Sequence, residues 1–170
     1  MEHAKLRSII LVLALAVASS LFVALALQKR DLMTRIDTLT ERIRHPYVGM
    51  YVPAVTFSAV TGDSVLLGGP PLGHVQVLFV FSTTCQYCKA SLPAWKQIAA
   101  ELAASDRAEV VGVSTDSVEP TRRYLVQHGI ELPVVSFTDR RLLAMYRAGT
   151  TPQTLIIDAD GRVGYSHLSR

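Results

Sequence analysis

The chain has 170 residues, enough for one domain with a real core plus additional segments, but too few for two ordinary domains. Its net charge of +3 does not point to nucleic acid, because the basic residues are scattered as pairs (Lys29-Arg30, Arg122-Arg123, Arg140-Arg141) rather than forming a stripe interleaved with aromatics. Hydrophobic residues make up 49% of the chain, and the mean hydropathy of +0.29 is high for a wholly soluble protein.

The apolar excess sits at the start. Residues 1–7 form a short flank carrying Lys5 and Arg7, and Ser8 to Leu27 is a run of 20 residues without a charge. At about 1.5 Å per residue, a helix of that length crosses a hydrocarbon core of roughly 30 Å. A cleaved signal peptide competes with this reading, since Ala16-Val17-Ala18 and Ala24-Leu25-Ala26 both loosely resemble cleavage sites. The first is followed by more apolar residues and the second leaves a long apolar run, so length favours an uncleaved transmembrane anchor over 8–27. Charge leaves the orientation open. Lys29, Arg30, Arg35, Arg42 and Arg44 follow the run, which read literally holds the large domain in the cytoplasm, yet large domains translocate regardless of flanking charge.

Over 28–45, Leu32, Ile36, Leu39 and Ile43 recur at spacings of four, three and four, which predicts a helical stalk. The stripe is too short to distinguish a coiled coil from a solvated or domain-packed helix. His45-Pro46 ends it, because the residue before proline is pushed out of the helical region.

Residues 46–170 read as an α/β domain. Val52 to Val60 and Ser64 to Leu67 flank Thr61-Gly62-Asp63 as a small hairpin. Val75 to Phe81 is nearly all apolar, as a central strand covered on both faces requires. The predicted order then continues with a helix from Cys85 to Ala104, a strand from Val110 to Ser114, and a helix from Pro120 to His128 stopped by Gly129. A short strand near Val134 to Phe137, a helix from Asp139 to Arg147, and strands Thr154 to Ile157 and Val163 to Leu168 complete it.

Both cysteines fall at the junction of the central strand and its helix. Cys85 and Cys88 are separated by two residues, so a disulfide between them closes almost no loop and stabilises the fold weakly; chemistry explains the pair better. Cys85 lies at the helix start, with Thr83 or Thr84 available as N-cap, where unpaired backbone N–H groups and the helix dipole favour a thiolate. Cys88 lies one turn deeper, where its own N–H enters the helix ladder and access is poorer. Cys85 is therefore the expected attacking sulfur and Cys88 the resolving one. A zinc site needs four ligands, and the five histidines offer no second close pair, so no metal is expected. Trp95 reads as core packing, Lys89 and the arginine pairs as exposed surface, and Tyr87 as a solvent-facing ring.

Strand, CxxC, helix and Pro93 eight residues after Cys85 resemble thioredoxin, as does Gly149-Thr150-Thr151-Pro152 before the strand TLIID and a D-x-D-G turn. With the N-terminal anchor, residues 50 to 168 look like the membrane-tethered thioredoxin-like proteins of the TlpA/ResA type in the AhpC/TSA–redoxin superfamily, with MauD-type proteins close by. The resemblance implies a thioredoxin-like fold, a central mixed sheet flanked by helices with an extra N-terminal hairpin. It implies a cis peptide at Thr151–Pro152 beside the dithiol, with Thr151, Pro152, Gln86 and Tyr87 touching substrate. It implies no cofactor beyond the redox-active Cys85–Cys88 disulfide, protein thiols and disulfides as substrates, and an upstream membrane thiol donor.

Three departures stand out. The two positions where the family often carries a carboxylate near the buried cysteine are Phe79 and Ser91 here, so the usual proton acceptor is missing. Thr84 replaces the tryptophan common before the first cysteine, and the intervening pair is Gln86-Tyr87, which leaves the redox potential open. The chain stops at Arg170, so the C-terminal helix usual in thioredoxin folds is expected to be absent and one sheet face less covered, unless the sequence is cut short.

The leading functional expectation is an anchored thiol–disulfide oxidoreductase on the outer face of the bacterial cytoplasmic membrane, facing the periplasm or cell exterior, with cytochrome c maturation or redox-enzyme assembly as settings. A peroxide reductase with Cys85 as peroxidatic thiol is second; Ser82 lies three residues before the cysteine as in peroxiredoxins, but Leu78 stands where those enzymes place a proline. A copper-binding assembly factor of the Sco type is third.

Overall fold

The computed structural model describes the backbone of residues 2–105 and 107–168, and within them the side chains of all but 2–6, 8, 9, 12, 14 and 41–43. The chain forms two compact units, one reaching to Glu41 and one beginning at Arg42. The first is one continuous helix, α1, Glu2–Arg44 in full extent. The runs expected as anchor (8–27) and stalk (28–45) thus belong to one helix, because no proline or glycine interrupts the sequence before Pro46. Along it Ile10, Leu15, Phe22, Leu27, Leu32 and Ile36 are all exposed. Among the described residues no helix is long and apolar enough to cross a membrane; the side chains of Ser8, Ile9, Val12 and Ala14, within the expected 8–27 anchor, lie outside them.

The second unit is built on a five-stranded mixed sheet. Its elements are the hairpin β1 (Val55–Ser58) and β2 (Ser64–Leu67), then β3 (Val75–Phe81), α2 (Gln86–Ala103), β4 (Ala108–Ser114), α3 (Val118–His128), β5 (Val134–Ser136), α4 (Arg140–Met145), β6 (Gln153–Ile157) and β7 (Val163–Leu168). The sheet order is β5-β4-β3-β6-β7, with β3 parallel to β4 and antiparallel to β6. The hairpin is shorter than expected at its start. Val52 and Pro53 are drawn out of pairing, and Val52 N–H donates instead to Gly161 O at 2.8 Å.

The central position of β3 explains its composition. Leu78 and Val80 point into one core, with Leu67 of the hairpin, Phe137, Tyr146, Leu155 and Ile157. Val77, Phe79 and Phe81 point into the other, with Cys88, Leu92 and Trp95 of α2 and Tyr124 and Leu125 of α3. Neighbouring residues of a strand face opposite sides, so only a strand covered twice is apolar throughout.

Gln76 is the exception on β3, and it ties the hairpin to the sheet. It is fully buried; its Oε1 accepts from Gly68 N at 2.9 Å, and its Nε2 donates to Leu66 O at 2.7 Å and Glu109 Oε2 at 2.9 Å. Gly68, at φ +81°, must be glycine there, since a Cβ would stand 2.4 Å from Pro53 O. The other helix ends follow the sequence: Gly129 closes α3 in the left-handed region, and Asp139 caps α4 by accepting from Arg141 N at 2.8 Å. β7 is the last described element; on it Tyr165 is 48% exposed.

Candidate active site

The parallel pairing of β3 and β4 brings their C-terminal ends side by side, and the dithiol grows from that edge. Helix α2 begins at Gln86, and its N-cap is Cys85 itself, at φ −79° and ψ 113°. The expected cap at Thr83 or Thr84 is not what forms. Cys85 Sγ accepts the Cys88 N–H at 3.1 Å, and Lys89 N donates to Cys85 O at 3.2 Å as the helix's first turn closes. Cys88 N–H therefore does not enter the helix ladder as expected; it is one of the orphan donors of the first turn, and the sulfur satisfies it.

Thr83 is held elsewhere. Its N–H donates to Asp116 Oδ2 at 2.6 Å, across from the end of β3 to the loop after β4. Ser114 Oγ in turn lies 2.7 Å from Thr121 Oγ1, and Asp116 N donates to Ser114 Oγ at 3.2 Å. This network locks the loop that carries Cys85 onto the start of α3. Sequence reading misses it, although the polar run Ser114 to Ser117 straight after a buried strand is a usable signal.

Both cysteines are free thiols, Cys85 half-buried and Cys88 fully buried. Burial pushes the Cys85 thiol up, but the hydrogen bonds from Cys88, the Thr151 hydroxyl and the Tyr87 N–H outweigh it, and the net direction is below the ordinary thiol value. Burial and the hydrogen bond with Cys85 push Cys88 up to about 12, against smaller lowering contributions from the Ser82 backbone and the Thr151 hydroxyl. The thiolate is favoured at the outer sulfur, and its partner is held protonated beneath it.

The Thr151–Pro152 bond is cis, and Thr151 brings its hydroxyl to both sulfurs. Thr151 is half-buried and Pro152 buried, whereas Gln86 and Tyr87 are exposed on the outer face of the first helical turn. Phe79 stacks on Trp95 with centroids 4.9 Å apart, and Ser91 Oγ donates to Tyr87 O at 3.0 Å. Neither can serve Cys88. The Ser82 hydroxyl lies 3.1 Å from Thr84 Oγ1. Among the described residues no group of three or more His, Cys, Asp or Glu side chains could hold a metal ion. A groove of about 560 Å³ opens toward the far end of α2, between Ala99, Ala103 and the Ile130–Pro133 loop, and contains neither cysteine.

Residues 48–166 match the model of the AhpC/TSA family. No curated protein matches the sequence. Among solved structures, the chain is similar to one described as a putative thiol:disulfide interchange protein DsbE of Chlorobium tepidum, with 25% identity and TM-score 0.62 over 72% of this chain and 86% of that one. StoA of Bacillus subtilis shares 20% identity at TM-score 0.57, covering 68% and 90% of the two chains. A peroxiredoxin-like protein of Aquifex aeolicus shares 21% at TM-score 0.56, covering 73% and 77%. The last two likenesses concern the fold alone, which is thioredoxin-like.

Proposed function

The chain belongs to the AhpC/TSA family, and on that premise we propose that it is a membrane-anchored thiol–disulfide oxidoreductase working through Cys85 and Cys88. The observation that carries the reading is the asymmetry of the two sulfurs: Cys85 caps its helix with its thiol held below the ordinary value, while Cys88 is buried and held well above it. The Cys85 thiolate attacks a disulfide of a protein substrate and forms a mixed disulfide. Cys88 then loses its proton and attacks Cys85 Sγ, the substrate leaves as a thiol, and a Cys85–Cys88 disulfide remains. Thr151, Pro152, Gln86 and Tyr87 line the approach and contact the substrate backbone. An upstream membrane thiol donor restores the dithiol.

The anchor is read from residues 8–27, which carry no charge, after a 1–7 flank and before a 28–45 stalk and a 46–170 catalytic domain. The exposed apolar side chains along α1 support it, because a helix that is apolar all round needs cover that water does not supply. The domain then works outside the bacterial cytoplasmic membrane, in cytochrome c maturation or redox-enzyme assembly.

The test is reduction of insulin disulfides by the full chain in detergent. Cys85→Ala should abolish it and Cys88→Ala should accumulate mixed disulfides; undiminished turnover by Cys85→Ala would falsify the mechanism. A topology reporter fused after Arg170 that is active only in the cytoplasm would overturn the location.

A further inference from the structure

Cys85 is aimed by the loop that precedes it, and several of that loop's bonds are made within itself. Cys85 N donates to Ser82 O at 3.2 Å, Thr84 N to Ser82 Oγ at 3.3 Å, and the Ser82 and Thr84 hydroxyls lie 3.1 Å apart. Such bonds shape the loop without fixing its place on the domain. The ties across the sheet come from the end of β4. Thr115 N donates to Phe81 O at 2.9 Å where the loop begins, and Thr83 N donates to Asp116 Oδ2 at 2.6 Å two residues before the sulfur. A charged acceptor makes a hydrogen bond shorter and roughly twice as strong as a neutral one.

Asp116 is itself held. Its N–H donates to Ser114 Oγ at 3.2 Å, and its carbonyl oxygen accepts from Ser136 Oγ at 2.5 Å and from Thr121 Oγ1 at 3.5 Å. Residues of β4, β5 and α3 thus fix the backbone from which the half-buried carboxylate projects. Glu119 and Arg122 of α3 are paired with each other at 3.1 Å.

The geometry points to Asp116 as a positioning residue for the exchange: by fixing Thr83 it keeps Cys85 in the extended conformation, φ −79° and ψ 113°, from which the sulfur meets the Cys88 N–H at 3.1 Å. This rests on the thiol–disulfide reading above. A Cys85 that can turn out of that conformation loses the N–H, and its thiolate is less favoured. Asp116 touches no substrate and transfers no proton. Its negative charge by itself works the other way, because a carboxylate near a thiol disfavours a second anion. Position and charge therefore predict opposite signs when the side chain is removed. The other groups that act on the Cys85 sulfur are Cys88 and the Tyr87 N–H of its own helix and the Thr151 hydroxyl, with the Tyr124 phenol of α3 sensing the charge on both sulfurs. A change at position 116 replaces none of them.

Iodoacetamide alkylation of the reduced full chain in detergent, followed across the pH range by the mass of the peptide bearing Cys85, reads the thiolate. Insulin reduction reads the exchange. Asp116→Ala should move the alkylation midpoint up and slow insulin reduction roughly threefold to tenfold near neutral pH, as expected for a reacting group left less well oriented. Asp116→Asn, which keeps an acceptor for the Thr83 N–H without the charge, should show the wild-type midpoint and most of the activity. If the alanine variant does not fold, Asp116→Glu takes its place. It keeps the charge but carries it one methylene farther, and should also move the midpoint up. General loosening of the fold lowers a urea midpoint without shifting the alkylation profile of the folded protein. An unmoved alkylation midpoint overturns the assignment, and so does one that falls in the alanine and asparagine variants alike, which is the signature of charge alone. A wild-type chain that alkylates at Cys85 yet leaves insulin intact ends the exchange reading, while the variant profiles still decide whether Asp116 sets Cys85.

Discussion

Cys88 gives its backbone N–H to the sulfur of Cys85, 3.1 Å away, so the first cysteine caps the helix that carries the second. Structure and reactivity are thereby coupled: the same contact that satisfies an orphan donor also stabilises the thiolate.

Replacing the cap separates these roles. Cys85→Ser and Cys85→Ala should both lack disulfide reductase activity. The serine hydroxyl can still accept the Cys88 N–H, so the alanine variant should be less stable than the serine variant by about 1 kcal/mol. Urea unfolding of the two variants measures the difference, and equal midpoints would show that the cap contributes nothing.

The Thr151 hydroxyl favours the thiolate form of both cysteines, though for Cys88 burial outweighs it. Thr151→Val keeps the shape and removes the hydroxyl. The pH midpoint for alkylation of Cys85 should move up toward that of an ordinary thiol, while the fold is retained. Iodoacetamide rates measured across the pH range would show it; an unmoved midpoint would mean that Cys88 and the helix start suffice.

Alkaline pH should destabilise the reduced protein. Cys88 is raised from 9.0 to about 12 and Tyr146 from 10.0 to about 12, both by burial first. A raised acid binds its proton more tightly in the folded state, so above the unfolded values the unfolded chain releases protons that the folded one keeps. Stability is then full below about pH 9 and falls as pH rises toward 12. Urea midpoints of the reduced protein should decline over that window, and less steeply in Cys88→Ala.

Gln76 holds the hairpin to the sheet by hydrogen bonds to Gly68, Leu66 and Glu109, the first fully buried and the other two partly. Gln76→Leu fits the volume but leaves the Gly68 N–H buried without a partner, so a loss of roughly 1–3 kcal/mol is expected. Denaturant unfolding reads this directly; a loss under about 0.5 kcal/mol, the range of ordinary surface substitutions, would mean that the hairpin is held by its apolar face alone.

The dithiol site is partly legible in the chain. Two cysteines one turn apart after a buried run place the pair at a helix start, and the Thr-Pro before TLIID marks the loop beside it. The cap is not legible, because serine, threonine and cysteine all offer a side-chain acceptor there, and only the backbone course shows which one meets the first-turn N–H. Asp116 is invisible for another reason. It lies 31 positions after Cys85 and reaches the site through β4, so no local spacing connects them.

Element type and order follow from periodicity and from glycine and proline, since those effects act within a few residues: the all but wholly apolar Val75–Phe81, Gly129 closing α3, and Pro46 ending α1. What only the tertiary structure decided are the relations between distant groups. The depth of Cys88, the carboxylate holding Thr83, and the hydroxyl of Thr151 beside the sulfurs all arise when separate strands and helices pack. Burial and electrostatic influence depend on distance in space, and a sequence records distance along the chain.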